Sequence, residues 1–424
     1  MIVRCWVLAL VVALLAGPAP VEATERAQVA SAQASPTDAQ VAALDPDAQA
    51  VILEPLRTAA AALDAAGRRD LPDAYAGVAL DVAGGRTDLY LTDPTVAPSL
   101  MATAQRDDPG LTPAEVTVHR AAFALTALEA ASRTAVDGTH PYAVYAASPA
   151  PDASGVQMEV RDPAAAARAS GDVLRVTGRD GVTAAVPVTF VVGSPRVAHD
   201  WDAVKWHDST PFIGGDVLTT DGHRYCTAGL PAVRVKDRRA VMVTAAHCFS
   251  AGQRVYTGAG TTWAYRNGRT GDYVGTVRTR SRSRDAEVLV GADNNADESD
   301  TSGWKPLTSV AYSYRGDYVC HSGARSAADD HPTPCGIKVT DDDLYFREAG
   351  HTVRGVEGVD VHGWGSVDGD SGGTVFAVEP HGKRQLRGLV STGGADGTTD
   401  QRRVDWPEAV DVFRTFGLEL DPRT

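Results

Sequence analysis

The chain has 424 residues, 43% of them hydrophobic and 22% charged, enough to fill more than one core and to suggest two domains once any targeting segment is removed. Its formal net charge is −14 and its pI about 5.2. A phosphate backbone is therefore repelled rather than held, and no basic stripe interleaved with aromatics reverses that, so nucleic acid is excluded as a partner.

The chain opens with a pattern for export. Arg4 supplies a positive start, Trp6 to Ala16 an apolar run, and Val21-Glu22-Ala23 a small-x-small cleavage site, giving a signal peptide over residues 1–23. The apolar run is too short for a bilayer core of about 30 Å, and no later stretch approaches about 18 consecutive apolar residues, so a secreted, soluble product without a membrane partner is expected. Cys5 leaves with the signal. The four remaining cysteines, Cys226, Cys248, Cys320 and Cys335, predict two disulfides in an exported protein, with three connectivities open. No C-x-x-C pair occurs, which argues against zinc, and no other metal or cofactor is implied.

Residues 24–49 are rich in Ala, Gln, Ser and Pro and read as a flexible leader. Residues 50–200 contain no cysteine and read as a smaller α+β domain. Within it, the strand-like runs Tyr75–Val82 and Thr87–Leu91 flank the hairpin signal Gly84-Gly85. Thr112-Pro113-Ala114-Glu115 predicts the start of a helix reaching about Val136. A second hairpin is expected between Tyr142–Ala147 and Val156–Val160, and a third around Arg179-Asp180-Gly181. From Trp201 the texture changes. Short strands and frequent Gly-rich turns over 201–424 indicate an all-β barrel or sandwich, closed by one helix that begins near Pro407 and Glu408 and sets Val410, Phe413 and Phe416 on one face.

Three sites in this second half carry chemistry. Val241-Met-Val-Thr-Ala-Ala-His247-Cys248 delivers an imidazole from an apolar strand into a small-residue turn. Arg284-Asp285-Ala-Glu-Val-Leu-Val290 places a carboxylate at the head of an apolar strand that can bury it, unlike Asp272, Asp293 or Asp297 nearby. Gly369-Asp370-Ser371-Gly372-Gly373 sets a hydroxyl among glycines, where the backbone can take unusual angles. A serine hydroxyl needs a base to take its proton as it attacks, and an imidazole with an ordinary pKa of about 6.5 suits the task. A buried carboxylate fixes the imidazole tautomer and stabilises the imidazolium. A lone His or a lone Gly-Asp-Ser-Gly is commonly bland; both motifs in one exported β-rich segment are specific.

At these motifs the chain resembles the chymotrypsin-like serine peptidases (S1 family), and within them the bacterial branch of α-lytic protease and the streptogrisins, over roughly residues 212–418. The resemblance implies two six-stranded antiparallel β-barrels with a C-terminal helix, and hydrolysis of polypeptides through an acyl-enzyme on Ser371, with His247 and Asp285 completing the triad. The oxyanion hole would be formed by Gly369 and Ser371. It implies pairing of Cys226 with Cys248 and a second disulfide loop from Cys320 to Cys335. Gly388-Leu-Val-Ser391-Thr392-Gly393-Gly394 resembles the strand that aligns the substrate backbone, and Gly365, Ser366 and Asp368 would line the substrate pocket. Gly365 stands where trypsin-like members carry an Asp, so cleavage after Arg or Lys is disfavoured because a buried cation would lack its partner. An uncharged residue before the scissile bond is preferred, although Arg402 and Arg403 leave an acidic one open; His362 is expected on the surface. Thr374 replaces the usual Pro, and the streptogrisin-type cysteine pair flanking the nucleophile loop is absent. Asp370 occupies the position of a buried carboxylate in relatives. The segment before the peptidase would be a pro-region, an intramolecular inhibitor or folding aid, and the product a monomer.

Two other readings compete. An exported binding protein on the same fold would have lost catalysis, which the intact triad motifs oppose. An α/β-hydrolase esterase would place the acid and the His after Ser in sequence, whereas both precede it here.

Overall fold

The computed structural model describes residues 36–171, 173–177, 183–198, 208–259, 269–291, 293–300 and 303–421. The export signal and the turn expected around Arg179–Gly181 lie outside the described residues. No helix among the described residues is long and apolar enough to cross a membrane.

The amino-terminal half departs from the expected leader. Thr37 caps α1 (Asp38–Ala42), and Asp45 caps α2 (Pro46–Asp70), so residues 38–42 and 46–49 of the expected leader are helical. Small alanines conceal its apolar face: Ala59, Ala60, Ala62 and Ala66 are buried beside Leu53, Leu56 and Leu63. The hairpin of β1 (Tyr75–Asp81) and β2 (Arg86–Leu91) forms as expected. α3 (Ala97–Asp107) follows, a helix the sequence reading did not identify. The helix expected from residue 112 begins later. The Thr112–Glu115 capping box opens only a single 3-10 turn. Val116, Thr117 and Val118, β-branched and better suited to a strand, then form β3 (Val116–Arg120) in parallel with β2. The helix proper is α4 (Leu125–Asp137). β4 (Val144–Pro149) and β5 (Val156–Val160) make the second hairpin, followed by α5 (Pro163–Ser170). β6 (Val173–Thr177) and β7 (Thr183–Val192) pair antiparallel across the undescribed turn. A two-residue strand, β8 (Val197–Ala198), ends this half.

The carboxy-terminal half contains the two expected sets of six antiparallel strands, one within an eight-stranded and one within a fifteen-stranded sheet. After β9 (Phe212–Gly214) come β10 (Val217–Thr219), β11 (Tyr225–Thr227), β12 (Leu230–Arg234), β13 (Ala240–Thr244), β14 (Arg254–Gly258), β15 (Thr270–Ser281) and β16 (Ala286–Gly291). Six of them are neighbours in the order β10-β14-β15-β16-β13-β12, around a core that includes Met242, Val255, Val277 and Leu289. β17 (Asn294–Asp300) and β18 (Gly303–Val310) cross to the second sheet. There β19 (Tyr318–Ser322), α6 (Ala324–Ala328), β20 (Cys335–Glu348), β21 (His351–Asp360), β22 (Thr374–Val378), β23 (Arg384–Leu389), β24 (Thr392–Gly393) and β25 (Arg403–Trp406) follow. The six run in the order β23-β22-β19-β20-β21-β25, and a bridge between Gly388 and Glu408 brings the exit of β25 back to β23, closing the barrel. Trp406, fully buried, fills its centre with Val319, Val356 and Val375. α7 (Ala409–Phe416) buries Val412 and Phe413, and β26 (Leu418–Leu420) returns to β12.

The halves are joined by strand pairing. β4 adds to the long β20–β21 hairpin, with Tyr345 opposite Ala147 and Phe346 opposite Ala146. β8 adds to β24. α2 is pinned by Arg57, whose guanidinium lies 2.8 Å from Asp317 Oδ1 and donates to the carbonyls of Tyr318 and Val378, each at 2.8 Å.

Candidate active site

Each of the three chemical residues stands where a strand meets a loop at the cleft between the two barrels. β13, with Val241, Met242 and Val243 buried, leads through Ala245-Ala246 and hands His247 to the cleft. Cys248 then ties this turn to β11 through the Cys226–Cys248 disulfide, with Cα atoms 6.2 Å apart. Asp285 closes a 3-10 turn over Arg282–Arg284 at the head of β16, with φ +38°. That left-handed conformation costs a non-glycine residue roughly 1–2 kcal/mol and is tolerated where the surroundings fix it. Ser371 lies between Gly369 (φ +107°) and Gly372 (φ +89°). A Cβ on Gly372 would stand 2.1 Å from Thr244 Oγ1 and 2.4 Å from the Thr227 carbonyl, so only glycine lets the loop pack this closely on the first barrel. Thr227 locks the junction: its N–H donates to the Ser371 carbonyl and its hydroxyl to the Gly369 carbonyl, both at 2.8 Å.

One imidazole joins the three groups. His247 Nδ1 is 2.7 Å from Asp285 Oδ2, and His247 Nε2 is 2.7 Å from Ser371 Oγ. The backbone N–H of His247 donates to Asp285 Oδ1 at 3.0 Å, and Ser391 Oγ donates to Asp285 Oδ2 at 2.6 Å. Burial alone would raise the Asp285 carboxyl. The His247 ring and the hydrogen bonds from His247 and Ser391 outweigh it and hold the carboxyl below its ordinary range. An ionised Asp285 requires the proton on Nδ1, which leaves Nε2 as an acceptor facing the Ser371 hydroxyl. Asp285 is 2% exposed and Ser371 0%, so the arrangement is shielded from water.

Two further carboxylates stand close. Glu287, two residues along β16, is pushed up to about 8, chiefly by burial, with Arg280 opposing at 2.9 Å. Glu348, at the tip of the β20–β21 hairpin, has Oε1 3.9 Å from His247 Nδ1. Nothing in the sequence signalled Glu348, because only the reach of the hairpin brings it there.

The remaining expected residues separate. Gly365 packs against the Arg402 backbone, where a Cβ would lie 2.4 Å from the carbonyl oxygen, and its own carbonyl is 2.6 Å from His321 Nε2. Ser366 is buried, Asp368 is half-buried, and His362 is exposed. Ser391 serves Asp285, while Thr392 and Gly393 form the short β24. Arg402 is exposed, but Arg403 turns inward and donates to the Gly393 and Pro195 carbonyls at 3.2 and 3.3 Å. Asp370 accepts from Ser326 N at 2.8 Å, Ser326 Oγ at 2.5 Å and Val367 N at 3.0 Å. Ser326 comes from the loop that Cys320–Cys335 closes, and the sequence carries no mark of that contact. Cys226, His247 and Cys248 converge within ligand distance of one another, but both sulfurs are spent in the disulfide, so the thiolates a metal would need are missing from this trio.

No family model matches the chain, and no curated protein does. Among solved structures, the chain is similar to a Nocardiopsis protease (NAPase) at 23% identity, over 50% of this chain and 98% of that one, with a TM-score of 0.38. It is similar to Thermobifida fusca protease A at 22% identity, over 49% and 97%, with a TM-score of 0.38. A glutamic acid-specific serine protease that uses a histidine triad in substrate binding matches at 19% identity, over 49% and 100%, with a TM-score of 0.39.

Proposed function

We propose that the chain is the precursor of a secreted serine endopeptidase of the chymotrypsin type, with His247, Asp285 and Ser371 as its catalytic triad. One observation carries the reading: a single imidazole, 2.7 Å from a hydroxyl on one side and 2.7 Å from a buried carboxylate on the other. His247 Nε2 takes the proton of Ser371 as Oγ adds to the scissile carbonyl. The backbone N–H groups of Gly369 and Ser371 stabilise the oxygen that becomes negative, and Asp285 stabilises the imidazolium. The imidazolium then protonates the leaving amine. Water, deprotonated by the same ring, releases the acyl group and restores the hydroxyl.

The amino-terminal half acts as a pro-region, a folding aid and intramolecular inhibitor. Support comes from β8, laid along β24 directly after Ser391, which holds Asp285. An uncharged residue before the scissile bond fits a pocket in which Gly365 offers no carboxylate.

Ser371→Ala should abolish turnover of polypeptide substrates while the protein remains folded and exported, and a fluorophosphonate should label the native protein at Ser371 and leave the variant unlabelled. Undiminished turnover in the variant would refute the assignment. Activity should rise with pH as His247 loses its proton and becomes able to accept that of Ser371. Amino-terminal sequencing of the secreted product reads whether the first half is removed.

A further inference from the structure

A piece of this chain lies along the edge that an extended peptide would use. β8 pairs antiparallel with β24, Ala198 opposite Thr392 and Val197 opposite Gly393. A peptide continuing that register brings its next residue opposite Ser391, whose hydroxyl touches Asp285. Strand addition of this kind takes affinity from the main chain and specificity from pockets for side chains.

Arg196 shows one such pocket. Its side chain is 1% exposed. Nη1 and Nη2 fork onto Glu159, the second contact at 3.0 Å; Nη2 also reaches Glu357 Oε2 at 2.7 Å, Nη1 the Ser194 carbonyl at 3.4 Å, and Nε lies 3.2 Å from Asp405 Oδ2. Glu159 belongs to β5 in the amino-terminal half. Glu357 on β21 and Asp405 on β25 belong to the second barrel, beside β24. Asp405 Oδ2 also accepts from Thr392 Oγ1 at 2.9 Å, which ties the pocket to the strand edge.

The barrel's own cation does not neutralise this pocket. Arg403 is 4.0 Å from Glu357 and 3.9 Å from Asp405, but only 2.9 Å from Asp400. Burial, reinforced by Glu159, Asp405 and Asp341, drives the Glu357 carboxyl up to about 8, and Arg196 is the chief influence against it. When Arg196 departs, Asp405 keeps only one cation, the partly engaged Arg403, at 3.9 Å, and Glu357 takes up a proton; an entering cation restores the pairing of Asp405 and draws Glu357 back to its charged form.

We propose that Glu357 and Asp405 form a specificity subsite for a basic side chain on the substrate, four residues to the amino side of the scissile bond, counting the residue opposite Ser391 as the first. The inference rests on the endopeptidase reading above. Arginine is favoured over lysine because its planar fork can engage both carboxylates at once. Arg196 is the chain's own occupant of the subsite. Glu159 closes the pocket only while the amino-terminal half is in place.

The secreted protein, expressed from the complete chain, is given a peptide library, and every cut site is read by mass spectrometry. Arg and Lys should be enriched at least tenfold over Ala and Glu at the fourth position. For the best-cut sequence, citrulline in place of Arg at that position should lower kcat/KM at least tenfold, because it keeps the shape and loses the charge. Glu357→Gln and Asp405→Asn should each shrink the ratio between the Arg and citrulline peptides. Cuts without basic enrichment, or equal kcat/KM for the two peptides, would overturn the subsite and leave the endopeptidase standing. A library with no cuts, and no fluorophosphonate label on Ser371, would instead remove the endopeptidase reading and the subsite with it.

Discussion

Ser391 Oγ donates a 2.6 Å hydrogen bond to Asp285 Oδ2, the same oxygen that faces His247 Nδ1 at 2.7 Å. A single carboxylate oxygen thus takes one donor from each barrel. The hydroxyl fixes the direction of the carboxylate, and the carboxylate in turn fixes the imidazole.

Ser391→Ala should therefore weaken catalysis without removing it. A hydrogen bond to a charged group contributes about 1.5–3 kcal/mol, so kcat/KM should fall about tenfold or more, read from steady-state kinetics. The same change alters acid stability. Asp285 is held below its ordinary value, so its stabilisation is present above about 3.9 and is lost as pH falls through the folded value. Removing the Ser391 donor raises that folded value, and acid unfolding of the variant should begin at a higher pH than in the native protein.

Asp370 controls the shape of the nucleophile loop from behind. Its carboxylate takes three donors, Ser326 N, Ser326 Oγ and Val367 N, while Trp364 Nε1 donates to the same Ser326 hydroxyl at 2.9 Å. Asp370→Ala leaves these donors buried without an acceptor, at about 1–3 kcal/mol for each group left unsatisfied. A loss of about 3 kcal/mol or more in urea unfolding is expected. Asp370→Asn, which keeps one acceptor oxygen, should fall between the variant and the native protein.

The residues at the centre of the cleft were legible in the sequence because their chemistry demands local signatures. Gly372 must be glycine to pass Thr244, and His247 must follow an apolar strand. The apolar strand behind Asp285 marks it in the sequence, whereas its contact with Ser391 spans 106 positions and leaves no local trace. The same holds for Ser326 beneath Asp370 and for Glu348 beside His247. In the amino-terminal half, local rules misled in both directions. Alanine hid the buried face of α2, since a methyl group adds little to an apolar pattern. The Thr112–Glu115 capping box marked a helix start that β-branched residues immediately converted into β3, where pairing with β2 outweighed the cap.

Arg57 is the main polar link between α2 and the second barrel, 4% exposed and bound to Asp317 and to the carbonyls of Tyr318 and Val378. Arg57→Met keeps much of the volume and removes all three contacts. Breaking a buried pair by removing one partner costs about 3–5 kcal/mol. Here the loss should sit at the lower end, because Arg387 Nη2 remains 3.2 Å from Asp317. Hydrogen exchange of the full chain should show α2 losing protection while β13 and β16 keep theirs; equal loss throughout would show that Arg57 acts on global folding rather than on docking.

Asp341 should make the stability of the chain dependent on pH. It lies on β20, 3.3 Å from Arg315 Nη2, and burial pushes its carboxyl up to about 6 despite Arg315 and a hydrogen bond with Ser148 of β4. A carboxyl raised in the folded state binds its proton more readily there than in the unfolded chain, where the value is about 3.9. Its stabilisation is fully present below about 4, declines as pH rises, and is gone above about 6. Asp341→Asn fixes the uncharged form and should flatten the fall in stability between pH 4.5 and 7.5. Two pKa units correspond to about 2–3 kcal/mol at most, reduced at pH 7.5 by the lost attraction to Arg315, which keeps Asp342 at 3.7 Å. Urea unfolding at the two pH values checks this: a smaller difference in the variant is the expected result, and an unchanged difference would assign the pH dependence to other groups.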